Sequence, residues 1–254
     1  MPQVGDDSVL HRFSRTELVI GPEGLDILRR AAVAVLGMGG VGSYTVEALA
    51  RSGIGRLLLV DKDVVDITNI NRQIPALTDT VGRPKVDVMA ERVAAINPEC
   101  VVETKRMFFL EDTADDIFSN RLDYVADAID TVSAKIHLIR QCKARNIPIV
   151  SSMGAANKID PTQFRVMDIS ETAVDPIARV IRRELRKYGI VNGLTVVCSL
   201  EEPRPPREDV RRTVASDDPD LPRKATHPPA SIAFVPPVAG LLLASVIVRE
   251  LVGM

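Results

Sequence analysis

The stretch GMGGVG at residues 37–42 decides the fold of this chain, because it joins segments of different character. Before it, AVAVL at residues 32–36 is a short apolar run that is typical of a buried parallel strand. After it, we predict a helix over residues 41–52. A second apolar strand over residues 57–60 follows and ends at Asp61. The order strand, glycine turn, helix and strand predicts a nucleotide-binding α/β unit.

The glycines of this turn have separate physical roles. Gly37 permits the tight turn, while Gly39 and Gly40 let backbone N–H groups approach a phosphate. Gly42 allows the helix to pack closely on the strand. Asp61 lies about 20 residues beyond the turn, where a carboxylate can hold a ribose hydroxyl. These features fit ATP and a dinucleotide equally well.

Charged residues farther along the chain favour ATP. Arg72 and Lys85 lie in a polar, turn-rich segment, and Asp127 and Asp130 come at the end of a predicted strand over residues 123–129. Open α/β sheets bind ligands at the carboxyl ends of their parallel strands. A site that cleaves a triphosphate needs fixed cations and a carboxylate for magnesium. We therefore predict ATP and Mg²⁺ as ligands, although each charge alone is typical of a solvated surface.

An ordered set of motifs resembles the ATP-dependent adenylating enzymes related to ubiquitin-activating enzymes, the ThiF-type superfamily. The motifs are RFSR at 12–15, the glycine turn, DKD at 61–63, NINRQ at 69–73, VGRPK at 81–85, INP at 96–98 and DAID at 127–130. The resemblance implies nucleotide contacts from Gly37, Gly39, Gly40, Gly42, Asp61, Asp63, Asn69, Arg72, Lys85 and Asp130. It also implies that Asp130 binds the magnesium ion.

The same resemblance implies catalytic roles for Arg15, Arg72, Lys85 and Asp130. Arg15 would reach the triphosphate from the neighbouring subunit, so a symmetric homodimer is expected. No general base stands out from the sequence, and Asp63 and Lys158 are candidates that could equally be structural.

Further motifs are similar to those of the tRNA threonylcarbamoyladenosine dehydratases within this superfamily. They are NRQI at 71–74, SSMGAANKIDPT at 151–162, DPIA at 175–178 and FVPPVAG at 234–240, and they extend the likeness over almost all 254 residues. The resemblance implies that ATP activates the threonyl carboxylate of a modified adenosine beside the anticodon. Loss of AMP would then close a ring on the nucleoside.

Three other functions are compatible with part of the pattern. A sulfur-carrier adenylyltransferase, of the thiamine or molybdopterin biosynthesis type, would share the ATP residues, but such relatives often carry two cysteine pairs. An NAD-dependent oxidoreductase would leave Arg72, Lys85 and Asp130 unexplained. A non-catalytic scaffold subunit would be expected to have lost these charges, and all are present.

Cysteine usage argues against a structural zinc site and against a thiol nucleophile. Cys100, Cys142 and Cys198 are widely spaced, with no pair at the spacing of zinc ligands. Cys198 lies in an apolar run, which favours a buried inert thiol over a nucleophile.

Alternating strands and helices predict an α/β fold with a doubly wound, mostly parallel sheet. We expect a single domain over residues 1–254, with a Rossmann-like ATP-binding core at 28–150 and a mixed α/β C-terminal extension at 151–254. Residues 201–230 are rich in Pro, Arg and Asp and are predicted to form a mobile loop.

The chain has no apolar signal sequence at its N-terminus, so we expect a cytoplasmic protein. The apolar run over residues 238–248 is too short to span a bilayer and predicts a packed C-terminal helix rather than an integral membrane segment.

A cationic helix predicts where tRNA binds, although the net charge of the chain is only −2. On the helix predicted over residues 176–188, Ile177, Ile181, Leu185 and Tyr188 form an apolar stripe. The rest of its surface carries Arg179, Arg182, Arg183, Arg186 and Lys187. For a tRNA substrate we expect these cations to contact phosphates. The sequence does not identify helper proteins.

Overall fold

The computed structural model describes residues 10–110, 113–210 and 229–254. Its strands are β1 (Ala32–Leu36), β2 (Arg56–Val60), β3 (Val101–Lys105), β4 (Tyr124–Asp127), β5 (Ile149–Ser152), β6 (Phe164–Asp168) and β7 (Thr195–Ser199). Its longer helices are α1 (Ser14–Arg30), α2 (Gly42–Ser52), α3 (Lys85–Ile96), α4 (Ala114–Phe118), α5 (Val132–Ala144), α6 (Pro176–Arg186) and α7 (Val235–Val252).

The strands form one sheet in the order β3-β2-β1-β4-β5-β7-β6. All neighbours are parallel except β6, which runs antiparallel to β7. The chain winds outward from β1 to β2 and β3, and then returns to place β4 on the other side of β1. The strand order therefore reverses between β1 and β4, and open α/β sheets bind ligands at such a point. This confirms the predicted doubly wound, mostly parallel sheet.

The alternating side chains of β1 pack into two apolar layers, one on each face of the sheet. Val33 and Val35 belong to the layer that includes residues of α2, α3 and α7. Ala34 and Leu36 belong to the opposite layer, with residues of α5 and α6. All residues of β1 are buried, which explains why the strand reads as a continuous apolar run.

Strand β4 is shorter than the sequence pattern predicts, because it ends at Asp127 instead of residue 129. The carboxylate of Asp127 accepts a hydrogen bond from the backbone N–H of Ile129 at 3.1 Å. This local bond turns the chain out of the sheet, so Asp130 lies in the loop after the strand rather than at its last residue.

The C-terminal part of the chain adds strands to the same sheet. β7 pairs in parallel with β5, and β6 closes the edge beside β7. The predicted mixed extension is therefore continuous with the nucleotide-binding core through backbone hydrogen bonds.

Helix α7 confirms the predicted packed C-terminal helix, but it is longer than the apolar run over residues 238–248 that the sequence indicated. It is long and apolar enough to cross a membrane by length and composition alone, but half of its residues are buried inside the fold. A side chain at Gly240 would place its Cβ 2.2 Å from the carbonyl oxygen of Val41. Thr45 Oγ1 also donates to the carbonyl of Gly240 at 3.1 Å. A glycine is therefore required where α7 approaches α2.

Most of the loop predicted over residues 201–230 lies outside the described residues, because 211–228 are not among them. Asn157, with φ of 62°, holds the two described ends together. Its carbonyl oxygen accepts from Arg204 N at 2.7 Å, and its Oδ1 accepts from Ala230 N at 2.9 Å. Asn is one of the residue types that tolerates this left-handed conformation.

Candidate active site

The glycine turn after β1 lies at the point where the strand order reverses, and its glycines are required by close backbone approach. At Gly37, φ is +94°, and a Cβ would lie 2.6 Å from the carbonyl oxygen of Ala128. At Gly42, a Cβ would lie 1.7 Å from the carbonyl oxygen of Gly37. The turn is thereby pressed against the loop after β4. Helix α2 begins at Gly42, so its N-terminal N–H groups are available near an anion in the turn.

Asp61 is fixed beside this turn by backbone donors. Its Oδ2 accepts from Met38 N at 2.6 Å, and its Oδ1 accepts from Asp63 N at 2.8 Å. Burial raises the pKa of Asp61, while these two N–H groups and the charge of Lys85 act in the opposite direction. Each carboxylate oxygen keeps a second lone pair for an additional donor. The arrangement fits an acceptor for ribose hydroxyls.

Lys85 is a buried cation at the first residue of α3. Only 7% of its side chain is exposed, and its Nζ lies 3.5 Å from Asp63 Oδ2. Its backbone N–H donates to the carbonyl of Asp63 at 3.1 Å, which ties the start of α3 to the segment after β2. The helix dipole disfavours a positive charge at this end. A buried lysine held there against both burial and the dipole is well placed to bind a phosphate.

Arg72 packs directly over the glycine turn. A Cβ at Gly40 would lie 3.3 Å from Arg72 Cγ and 3.0 Å from Pro236 Cβ, so these residues form the walls around Gly40. Arg72 Nη1 donates to the carbonyl of Thr68 at 2.9 Å, which orients the guanidinium. Burial lowers the pKa of Arg72 from its usual value, although arginine remains charged in proteins.

Two buried amides border the same turn. Asn69 Oδ1 accepts from Asp66 N at 3.2 Å, within a capping box that shapes the turn carrying Arg72. A Cβ at Gly39 would lie 3.9 Å from Gln73 Nε2, and Gln73 Oε1 is buried without a hydrogen-bond partner. A buried acceptor without a partner is costly in a protein interior. Its place beside Gly39 suits a site that is completed by a ligand.

Asp130 follows β4 on the other side of the reversal point. Its side chain is exposed, and its Oδ1 accepts from Thr131 Oγ1 at 3.3 Å. Within the described ranges 10–110, 113–210 and 229–254, no cluster of three or more His, Cys, Asp or Glu could hold a metal ion. Mg²⁺ is commonly bound by one or two carboxylates together with substrate phosphates, and Asp130 could supply one such carboxylate.

The loop that carries Asp130 rests on a buried charge cluster that the sequence reasoning missed. Lys135 Nζ lies 3.0 Å from Asp127 Oδ2 and donates to Ser151 Oγ at 3.3 Å. Ser151 Oγ donates to Asp127 Oδ2 at 2.6 Å. The available signal was a lysine eight residues beyond Asp127, in the segment that forms α5.

The two general-base candidates occupy different environments. Lys158 is fully buried, with its Nζ 2.7 Å from Asp175 Oδ2 and 2.6 Å from the carbonyl oxygen of Gly154. Its contacts make it a structural cation. Asp63 is half-exposed beside Lys85 and remains the candidate of the two that solvent and substrate can reach.

The cysteines are buried, as predicted for Cys198. Burial raises the pKa of Cys100 to about 11 and the pKa of both Cys142 and Cys198 to about 12. Thiolates are therefore scarce near neutral pH, and the described surroundings do not activate a thiol nucleophile.

Helix α6 presents most of its predicted cations to solvent. Arg179, Arg183, Arg186 and Lys187 are exposed, and Glu184 pairs with both Arg183 and Lys187. Arg182 instead donates to the carbonyl and hydroxyl oxygens of Thr172, which anchors α6 to the preceding turn. Tyr188 departs from the predicted apolar stripe, since 51% of it is exposed. It lies two residues beyond the last residue of α6.

Arg15 lies on the first turn of α1 with its side chain exposed. The residues before it dock on their own subunit, because Phe13 is 4% exposed and Arg12 Nη1 donates to the carbonyl of Ile96 at 2.9 Å. The structure brings together the glycine turn, Asp61, Asp63, Arg72 and Lys85, with Asp130 on the adjoining loop. Arg15 belongs to a different surface element.

Comparison with known proteins gives matches over the whole fold. The model of the ThiF family matches residues 13–254. The tRNA threonylcarbamoyladenosine dehydratase of Bacillus subtilis (strain 168) is 58% identical over 243 residues, which cover 96% of this chain and 95% of that protein. The structure of E. coli tRNA N6-threonylcarbamoyladenosine dehydratase in complex with ATP matches with a TM-score of 0.85 and 36% identity, over 95% of this chain and 94% of that one.

A sulfur-carrier type of relative is more distant. The molybdopterin-synthase adenylyltransferase of Salmonella typhimurium (strain LT2) is 32% identical over 162 residues, which cover 63% of this chain and 64% of that protein. The matches confirm the resemblance inferred from the sequence motifs.

Proposed function

The chain belongs to the ThiF family, and we propose that it catalyses the ATP-dependent cyclisation of threonylcarbamoyladenosine in tRNA. The observation that carries the proposal is the similarity to the Bacillus subtilis dehydratase over almost the full length of both proteins. The site geometry supports it, because a phosphate-binding turn, a buried lysine and an oriented arginine lie together at the reversal point of the sheet.

The nucleotide end of the site would hold ATP through groups whose positions are already fixed. Asp61 would accept the ribose hydroxyls, the turn around Gly40 would receive phosphate oxygens, and Lys85 and Arg72 would neutralise their charge. Asp130 would bind Mg²⁺, which supplies charge neutralisation at the phosphates when bound.

The threonyl carboxylate of the substrate would attack the α-phosphorus in line, and pyrophosphate would leave. Lys85 and Arg72 would stabilise the negative charge that spreads over the phosphoryl oxygens, because they are held in place before the reaction begins. Positioning and electrostatics therefore account for this step without a protein nucleophile.

Ring closure would follow on the same nucleoside. A nitrogen of the urea group would attack the adenylated carboxyl carbon, AMP would leave, and the carboxyl oxygen lost from the substrate would depart in the phosphate of AMP. Intramolecular attack benefits from a high effective concentration. The half-exposed carboxylate of Asp63 is available to accept the released proton.

The sulfur-carrier alternative has less support. The three cysteines are scattered and their thiol pKa values are raised, so the chain carries neither the cysteine pairs of many such relatives nor an activated thiol. The shorter, weaker similarity to the molybdopterin-synthase adenylyltransferase points the same way.

A symmetric homodimer would complete the site with Arg15 of the second subunit. The surface around Arg15 supports this arrangement, because the apolar side chains of Leu10, Leu18 and Val19 are 87%, 87% and 72% exposed. Leu18 and Val19 are neighbours on α1, and contiguous exposed apolar patches mark association surfaces. We place this enzyme in the cytoplasm, where its tRNA substrate is found.

The decisive experiment combines purified protein with tRNA that carries threonylcarbamoyladenosine, in the presence of ATP and Mg²⁺. Mass spectrometry of the digested nucleosides should show the loss of one water from the modified adenosine, with pyrophosphate and AMP as products. A sulfur-carrier protein supplied instead should not stimulate pyrophosphate release. Pyrophosphate release with the carrier and none with the tRNA would overturn the proposal.

A further inference from the structure

A cleft of about 340 Å³ lies between α5 and the C-terminal end of α6. Its lining residues are Leu110, Ser133, Ala134, Ile136, His137, Arg140, Glu184 and Tyr188. Ligand sites of this size typically combine apolar walls with a few polar groups, as this one does. The cleft is separate from the turn that would bind ATP.

The cleft begins close to the predicted magnesium ligand. Helix α5 starts at Val132, two residues after Asp130, and Ser133 and Ala134 of its first turn line the cleft. This end of α5 faces the carboxyl edge of the sheet, because it follows β4 directly. The cleft therefore starts at the edge of the sheet that holds the adenylation site and continues along α5 to Arg140, about 12 Å of helix beyond Val132.

A stacked cation and aromatic ring line one side of the cleft. The guanidinium carbon of Arg140 lies 3.8 Å from the ring centroid of Tyr188, and 51% of Tyr188 is exposed. Guanidinium and phenol planes are the surfaces on which unstacked RNA bases are held. The outward face of this pair is a platform of that kind.

The charges around the cleft match a nucleic acid. Exposed cations on and after α6 include Arg179, Arg183, Arg186 and Lys187, of which Arg183 and Lys187 pair with the partly buried Glu184 and leave Arg179 and Arg186 for phosphates. Glu184 itself lines the cleft, where its carboxylate can accept a hydrogen bond from the amino group of a base and repels a phosphate. Phosphates would therefore lie along α6, and a base would enter the cleft.

We propose that this cleft binds an unpaired base of the tRNA anticodon loop other than the modified adenosine, stacked on the Arg140–Tyr188 pair. The inference rests on the proposed function, because it assumes a tRNA substrate. Holding a second base of the loop about 12 Å along α5 from its first residue would orient the single-stranded loop so that the modified adenosine reaches the nucleotide site.

The test measures the dissociation constant of an anticodon stem-loop that carries threonylcarbamoyladenosine, together with that of ATP. Tyr188→Ala should weaken RNA binding roughly tenfold or more, which is the scale of losing one base–aromatic stack. Tyr188→Phe should bind nearly as well as the wild type, because the ring is kept. ATP binding should be unchanged in both variants.

A matched control lies directly after α5. Arg145 also stacks on an aromatic ring, with its guanidinium carbon 4.7 Å from the centroid of Phe118, but it does not line the cleft. Arg140→Ala should weaken RNA binding, whereas Arg145→Ala should not. Equal RNA binding by Tyr188→Ala, Arg140→Ala and the wild type would overturn the inference.

Abasic stem-loops identify the base concerned. Removing the base that occupies the cleft should weaken binding to the wild type, and the same removal should cost little in Tyr188→Ala, because the two changes delete the same contact. If, at every abasic position tested, the loss of binding from the missing base and the loss from Tyr188→Ala are additive, no base stacks on Tyr188. A wild-type protein that binds ATP but not the stem-loop would instead refute the proposed function itself.

Discussion

A buried ion pair supports both the nucleotide-binding end and the proposed RNA-binding end of this molecule, but the surfaces of the two ends differ. At the nucleotide end, Lys135 pairs with Asp127 at 3.0 Å beneath the loop of Asp130. At the RNA end, Lys158 pairs with Asp175 at 2.7 Å, and Asp175 caps the N-terminus of α6. Each buried pair fixes a loop or a helix at the carboxyl edge of the sheet.

The surfaces above these pairs differ in how firmly their charges are held. Lys85 is buried at the start of a helix and Arg72 is bonded to a backbone carbonyl, so both are oriented before a ligand arrives. Arg179 and Arg186 are exposed on long side chains. Oriented charges in a partly buried site stabilise a reaction, whereas exposed charges mainly contribute salt-dependent binding. We therefore expect substitutions in the buried ion pairs and at the nucleotide end to have larger effects than substitutions of the exposed cations.

The largest expected effect is a loss of stability when one partner of a buried ion pair is removed. Lys158→Met should lower the free energy of unfolding by about 3–5 kcal/mol, because Asp175 keeps a buried charge without its partner. Arg30→Met removes one partner of the exposed Arg30–Asp26 pair and should cost about 1 kcal/mol or less. Urea unfolding of both variants measures the difference. Equal costs would show that Lys158 does not support this end of the fold.

The second largest expected effect is a lower rate of cyclisation when charged residues at the nucleotide end are replaced. Lys85→Ala and Asp130→Asn should each lower the rate of cyclisation on the order of 100-fold or more, which is the scale of losing one oriented electrostatic contact. Lys62→Ala is the matched control, since Lys62 also approaches Asp63, at 3.9 Å, but is exposed. The measurement is the rate of turnover, and circular dichroism checks that each variant is folded. Near-normal rates in both site variants would refute the ATP-site assignment.

A mixing experiment tests whether the nucleotide end needs a second subunit. Arg15→Ala and Lys85→Ala proteins should each be nearly inactive. After subunit exchange, about a quarter of the wild-type activity should return, because half of the dimers contain one intact composite site. Sedimentation of the active enzyme as a monomer, or no recovery after confirmed exchange, would contradict the shared site.

A smaller effect is expected from the exposed cations of α6. Arg179→Ala and Arg186→Ala should each weaken tRNA binding a few-fold and reduce the slope of log Kd against log salt concentration by about 0.7–0.9. ATP binding should not change. Arg29→Ala, on the exposed surface of α1, provides the control. An unchanged salt slope would show that α6 does not contact the phosphates.

The smallest effect is expected from removing all three cysteines. Cyclisation by the Cys100→Ser, Cys142→Ala and Cys198→Ala triple variant should stay within about tenfold of normal, because the intramolecular mechanism uses no thiol. In the native enzyme, the pKa values of about 12 at Cys142 and Cys198 should keep alkylation slow at pH 8, since the thiolate is the reactive form. A folded variant that releases pyrophosphate but forms no cyclic product would support a covalent mechanism.

Local sequence signals were sufficient where neighbouring residues determine the structure. The apolar run of β1, the glycines after it and the acid at the end of β2 predicted the nucleotide-binding unit, because each signal concerns a strand, a turn or a helix start within a few residues. The end of β4 was placed two residues too far along, because a side-chain bond from Asp127 to Ile129 N ends the strand, and propensity does not report that bond.

The sequence by itself determined the doubly wound fold class, the glycine turn and the charged residues expected to meet ATP. Only the tertiary structure showed that Lys135 supports the Asp130 loop, that Lys158 is a buried partner of Asp175, and that Arg140 and Tyr188 stack beside a cleft. These contacts join elements that are separated along the chain. Their energies depend on burial and distance, and both are fixed only when the helices pack against the sheet.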